Sequence, residues 1–150
     1  MPEQEHSREE VDKIYRSKLL ELFRSPLGCE VPPESASKGW ARNRTCGDEV
    51  TFFSEVSNGV ILGTWQRTEG CAIATATASL LVKELAGKNI HSAKSLMQKI
   101  RHTVYNGAPP DEEAEWKVLA AVHSLPARHE CVGVALDAAE KSLEITKGEK

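Results

Sequence analysis

The feature that most restricts this chain is a change of hydrophobic period at Gly70. Before it, Val50, Phe52 and Val56 share one strand parity, and Asn58-Gly59 supplies the two left-handed positions of a tight turn. Val60, Leu62 and Thr64 then read as the returning strand. After Thr68-Glu69-Gly70 the period turns helical, with Ile73, Ala76, Leu80 and Leu81 on the inner face of a helix that ends near Gly87. Small or hydroxyl residues, Ala74, Thr75, Thr77 and Ala78, line its early turns and allow neighbouring backbone to come close. An isolated hairpin is hardly stable, so a weaker third strand is expected from Trp40 to Arg44.

The remaining segments read as helices. Ser7 and Glu10 have capping-box spacing, ahead of Val11, Ile14, Tyr15, Leu19, Leu22 and Phe23 on one face. Pro26 and Gly28 stop that helix, and residues 25–39 are turn-rich. A third helix starts near Asn89 and breaks at Gly107-Ala108-Pro109-Pro110. Asp111 is expected to cap a short acidic helix holding Trp116, Leu119 and Val122, and Pro126 to open the last helix. The expectation is one α+β domain over 1–150: a small antiparallel three-stranded sheet covered by four to five helices. Its N-terminal helix falls at about 8–24, the hairpin at about 49–66, further helices begin near 71, 90, 111 and 127, and the tail 145–150 frays.

Charge and hydropathy exclude some roles. A formal charge of -3 with 5% aromatics argues against nucleic acid as a partner. The longest uncharged stretch, Cys71 to Val82, is too short to cross a membrane. The polar, acid-rich start resembles no targeting peptide, so a cytoplasmic protein with reduced thiols is expected.

Three of the four cysteines fall where elements join: Cys46 on the loop entering the hairpin, Cys71 at a helix start, Cys131 in the first turns of the last helix. A helix start favours thiolate, the form that binds metal and attacks sulfur, although buried packing is the commonest fate of a free cysteine. In Cys46-Gly47-Asp48, residues two apart face the same side and the glycine permits a bend, so thiolate and carboxylate can share a cation. Asp48 serves equally well as a turn-capping aspartate. Two more thiolates would complete a three-sulfur, one-oxygen set suited to zinc. Steps from 46 to 71 and from 71 to 131 are unlike the short knuckles of a zinc finger, so folding would have to assemble the set. Arg128 can hold a thiolate or persulfide by charge. His129 can ligate metal or move a proton, or simply lie on a solvated helix start. His6, His91, His102 and His123 have no ligand partner in spacing, and Cys29 reads as incidental.

The segments TCGDEV (45–50), EGCAIATATASLLV (69–82) and LPARHECVGVALDAAEKSL (125–143) resemble the IscU/SufU family, the NifU N-terminal-like proteins of iron–sulfur cluster assembly, over nearly the whole chain. Within it the chain is similar to SufU. Glu130 stands where IscU-type scaffolds carry histidine, Pro126-Ala127-Arg128 replaces the LPPVK-like motif, and extra length falls around GAPPDEEAEW. Departures are the long 25–39 segment and Arg44, where proline is common.

The resemblance implies a SufU/IscU-like fold and zinc held by Cys46, Asp48, Cys71 and Cys131. It implies a SufS-type cysteine desulfurase as partner, one of whose histidines replaces Cys46 at the metal. Cys46 would then accept persulfide sulfur, with Arg128 assisting, for delivery to downstream scaffold proteins. The alternative is a non-enzymatic scaffold building a [2Fe-2S] cluster, with iron at the same residues, and a third option is a structural-zinc interaction module.

Overall fold

The structure, a computed structural model, describes residues 8–148, with side chains from 9 to 144. Helix α1 (Arg8–Arg24) leads to three strands, β1 (Ser37–Arg42), β2 (Glu49–Ser57) and β3 (Val60–Glu69). Helices α2 (Ala72–Leu85) and α3 (Ile90–Asn106) follow, then 3-10 segments over Glu115–Ser124 and Pro126–Arg128, and α4 (His129–Gly148). The strands form one antiparallel sheet in the order β1-β2-β3. The three-stranded sheet under helices is thus the α+β architecture read from the motifs.

One face of the sheet builds the core. Ala41, Val50, Phe52, Ile61 and the polar Ser54, Thr64 and Gln66 are buried there. Helix α4 lies across β1 and β2, and α2 runs along β3. Because α2 also touches α1 and α4, every residue from Ala74 to Leu81 is buried, which its alanines and threonines permit. Backbone and side chains share the joints: the Ser54 and Ser142 hydroxyls pair at 2.7 Å across β2 and α4, and Arg101 ties α3 to Asp137 and Glu140 of α4 at 2.8 and 2.9 Å. Among the described residues, no helix is long and apolar enough to cross a membrane.

The hairpin turn has Asn58 at φ 53° and Gly59 at φ 77°, the left-handed pair its sequence calls for. The inward residues of β3 differ from expectation. Val60 and Leu62 are exposed and Ile61 is buried, because the register shifts between Glu55 and Val56. Ser54 pairs with Thr64 but Val56 with Ile61, so Leu62 is the extra residue of a bulge that reverses the parity.

Other differences are also local. The third strand lies earlier than Trp40–Arg44, at Ser37–Arg42, because Asn43 and Arg44 belong to the loop. On α1, Leu19 is buried and Val11, Tyr15 and Leu22 are half-buried beside it, while Ile14 and Phe23 sit outside the stripe at 55% and 42% exposure. Ser7 of the anticipated capping box lies outside the described residues, as do residues 149–150 of the tail. Helix α4 continues to Gly148, past the expected fraying point.

The short acidic helix is of 3-10 type and starts at Glu115 rather than at Asp111. Asp111 does not cap it; its carboxylate pairs with Lys99 at 3.1 Å. Trp116, Leu119 and Val122 recur every three residues, the 3-10 period, and all three are buried. Pro126–Arg128 forms a further 3-10 turn, so α4 begins at His129.

The approach of β1 to α4 depends on Gly39, where a Cβ would run into the backbone of Ala138 and Ser142. Gly39→Ala is therefore expected to cost about 1–3 kcal/mol. A thermal melt should fall by roughly 3–10 °C; an unchanged melt would show that the layers can separate freely.

Candidate metal centre

The loop between β1 and β2 is closed by Asn43, which is 8% exposed. Its N–H donates to the Asp48 carbonyl at 2.8 Å, its carbonyl accepts from Gly47 N–H at 2.6 Å, and its Oδ1 accepts from Thr45 N–H at 3.1 Å. Gly47 takes φ 82°, a left-handed position that glycine occupies without strain. The loop thus lifts Cys46 into solvent while Asp48, two residues on, is 2% exposed.

Asp48 is held from the far end of the hairpin. Its Oδ1 accepts the Cys71 backbone N–H at 2.9 Å, and the Cys71 thiol donates to Oδ2 at 3.6 Å. Cys71 is the N-cap of α2, its Sγ accepting from Ala74 N–H at 3.4 Å. These contacts use N–H groups that a helix start leaves free. Gly70 makes the approach possible, because a Cβ there would collide with Asp48 itself. Cys131, fully buried in the first turn of α4, closes the group from the other layer.

The structure brings together a ligand atom each from Cys46, Asp48 and Cys131, all within 4.8 Å of one another. Cys71 lies outside that mutual limit and joins through Asp48 at 3.6 Å. A tetrahedral ion with bonds of about 2.3 Å to sulfur and about 2.0 Å to oxygen sets sulfur and oxygen roughly 3.5 Å apart. The Asp48–Cys71 spacing meets that value. Three sulfurs and a carboxylate, with a thiol spending its proton on Oδ2, are a donor set that fits zinc.

Electrostatics follow the same arrangement. Burial pushes the Cys131 thiol up, reinforced by its hydrogen bond and charge interaction with Cys71 and then by Asp48. Cys131 without a cation is therefore a neutral thiol. Arg128, fully exposed, is raised by its hydrogen bond to Cys131, then by the charges of Cys131, Cys71 and Cys46. It is the cation that the chain itself places over the sulfurs.

His129 turns elsewhere. Its Nε2–H donates to the His123 carbonyl at 2.9 Å, its ring stacks on His123 at 5.8 Å, and Tyr105 meets it edge-on at 5.3 Å. Glu130 accepts from the Tyr105 hydroxyl at 3.0 Å. Cys29 is exposed, and Gln66 Nε2 donates to its sulfur at 3.5 Å; it is not in the metal-type group. Sequence reasoning missed Asn43, Gly70 and Tyr105. Only Asn43 carried a signal, the asparagine preference for a turn in which its side chain bonds the backbone two residues on.

Residues 14–132 match the family model of the NifU-like N terminal domain, and the chain belongs to that family. Over 141 residues it is 27% identical to the zinc-dependent sulfurtransferase SufU of Bacillus subtilis (strain 168), covering 92% of this chain and 95% of the relative. It is 32% identical over 100 residues to the iron–sulfur cluster assembly scaffold protein IscU of Aquifex aeolicus (strain VF5), covering 65% of this chain and 64% of that one. Among solved structures, FiSufU from Fervidobacterium islandicum AW-1 superposes with a TM-score of 0.75 at 21% identity, covering 85% of this chain and 95% of that one. The IscU/SufU resemblance drawn from the three motifs is borne out.

In metal-stripped protein, Asp48→Ala leaves the Cys71 N–H without its acceptor and should cost about 1–3 kcal/mol. Asp48→Asn retains an acceptor oxygen and should lose much less in the same urea titration. Equal losses would mean that the Asp48–Cys71 bond does not hold the hairpin to α2.

Proposed function

We propose that this protein is a zinc-dependent sulfur acceptor that takes persulfide sulfur from a SufS-type cysteine desulfurase and passes it toward iron–sulfur cluster assembly through downstream scaffold proteins. The observation that carries the reading is the unequal exposure of the cysteines: Cys46 is exposed on a glycine-jointed loop, Cys71 is intermediate and Cys131 is buried. One sulfur can leave the group to meet a partner while the others stay in place.

In this reading Cys46, Asp48, Cys71 and Cys131 hold the zinc. When bound, zinc supplies positive charge that keeps its thiolates deprotonated, without redox chemistry of its own. The Cys46 thiolate attacks the outer sulfur of the desulfurase persulfide. A new bond forms between Cys46 Sγ and that sulfur, the donor's S–S bond breaks, and the donor cysteine leaves as thiolate, so Cys46 becomes the persulfide and charge is conserved. Asp48 and Cys71 keep their mutual contact through the exchange. Arg128, exposed beside the sulfurs, holds the anionic product by charge. A cytoplasmic setting matches thiols that must stay reduced.

A second reading, a scaffold for a [2Fe-2S] cluster at the same residues, is supported by the IscU relatives. The side chain before Cys131 favours transfer: Glu130 is engaged by Tyr105, away from the sulfurs.

The reading predicts one zinc per chain in metal analysis of purified protein, and a melting temperature several degrees lower after a chelator removes it. Mixing with a desulfurase and cysteine should accelerate sulfide release, and Cys46→Ala should abolish that stimulation while the fold survives. A reddish-brown protein with iron and acid-labile sulfide would replace this reading with the scaffold. A Cys46→Ala variant that still stimulates would end it.

A further inference from the structure

Among the described residues, no helix covers the second face of the sheet. Residues alternating with the buried set point outward and form three rows across the strands. Nearest the Cys46 loop lie Arg42, Glu49 and Glu69; next Trp40, Thr51 and Arg67; then Lys38, Phe53 and Trp65. Trp40 is 51% exposed, and Leu62, pushed out by the bulge, is 60% exposed. Trp65 lies over Gly63, where a Cβ would strike its ring. Scattered apolar side chains on a surface are ordinary. Two of three tryptophans, a phenylalanine and a leucine on one open face form a contiguous patch of the kind that marks an interface.

We propose that this face binds the same face of a second copy of the chain. Its charges are mixed: Lys38, Arg42 and Arg67 stand against Glu49, Glu55 and Glu69, a set that no single-sign partner would match. The register makes it complementary to itself. A two-fold axis along β2, in the plane of the interface, lays β1 of one copy over β3 of the other and keeps the rows in step. Arg42 then meets Glu69 of the second copy, Trp40 meets Arg67, and Lys38 meets Trp65, while Phe53 meets its own counterpart. That is a charge pair and two cation–π pairs, each made twice, around a central aromatic contact.

Glu49 and Glu55 also fall on the axis, each facing its own counterpart, and each already has a partner in its own chain, Arg42 at 3.8 Å and the Ser35 hydroxyl at 2.6 Å.

Nine residues of β2 at about 3.4 Å and three strands at about 4.8 Å give a footprint of roughly 30 by 14 Å. That lies at the small end of specific interfaces, so the dimer is reversible and forms with rising concentration. Both Cys46 loops emerge at the same end, outside the contact.

Sedimentation velocity of the full-length, metal-replete protein from about 1 µM to 1 mM tests this. A monomer–dimer equilibrium is expected. Arg42→Glu or Glu69→Arg alone should weaken it about tenfold, and the double exchange Arg42→Glu with Glu69→Arg should restore it. Trp40→Ser, which lies in the next row from the loop, should weaken it similarly, with far-ultraviolet circular dichroism and zinc content confirming that each variant is folded. A monomer at every concentration, or a dimer indifferent to these substitutions, overturns the proposal. So does a monomer in which the same substitutions alter only desulfurase stimulation, since the face would then serve another protein.

Discussion

The Asp48 carboxylate is the constraint on which the site depends. It is almost fully buried, and a buried carboxylate is costly unless its oxygens are matched by donors or a cation. One oxygen takes the Cys71 N–H and the other faces the Cys71 thiol. Those bonds join the start of β2 to the start of α2, the two ends of the hairpin segment. Gly70 lets the two backbones close to a distance that no side chain would allow. A carboxylate that ties two segments in this way also stands ready to complete the charge balance of a cation held by the neighbouring sulfurs.

The layers determine which cysteine is exposed. Cys131 is fixed because α4 is pressed onto the sheet through Gly39 and the Ser54–Ser142 pair. Cys71 is fixed by its role as N-cap of a helix buried on most sides. Cys46 has no such anchor of its own; its loop is shaped by Asn43 and the left-handed Gly47. One exposed sulfur and two packed ones around one carboxylate are what an exchange of thiolate ligands would need. The clamp of Tyr105 on Glu130 and of His123 on His129 steadies the turn that presents Arg128.

Much of this was legible in the sequence where the signal is local. Asn58-Gly59 and the period change at Gly70 located the hairpin and α2, and the three motifs around Cys46, Cys71 and Cys131 pointed to residues that the fold gathers at the candidate site. What escaped depends on partners far along the chain or on a subtler local rule. The local sign of the Leu62 bulge is Gly63, a glycine inside a strand pattern, and the bulge reverses the inward parity at the start of β3. The spacing of Trp116, Leu119 and Val122 is a period of three, which marks this short helix as 3-10 in type. The sequence leaves His129 open between a ligand and a solvated helix start, because nothing near it reveals that Tyr105 and His123 hold it. Gly70 could not be read as essential, since the Asp48 it accommodates lies across the hairpin.

X-ray absorption at the zinc edge of the purified protein addresses the metal assignment most directly. A single zinc surrounded by three sulfurs at about 2.3 Å and one oxygen at about 2.0 Å is the expected spectrum. Four sulfurs, which would bring in Cys29, or a shell of nitrogen and oxygen alone would contradict it.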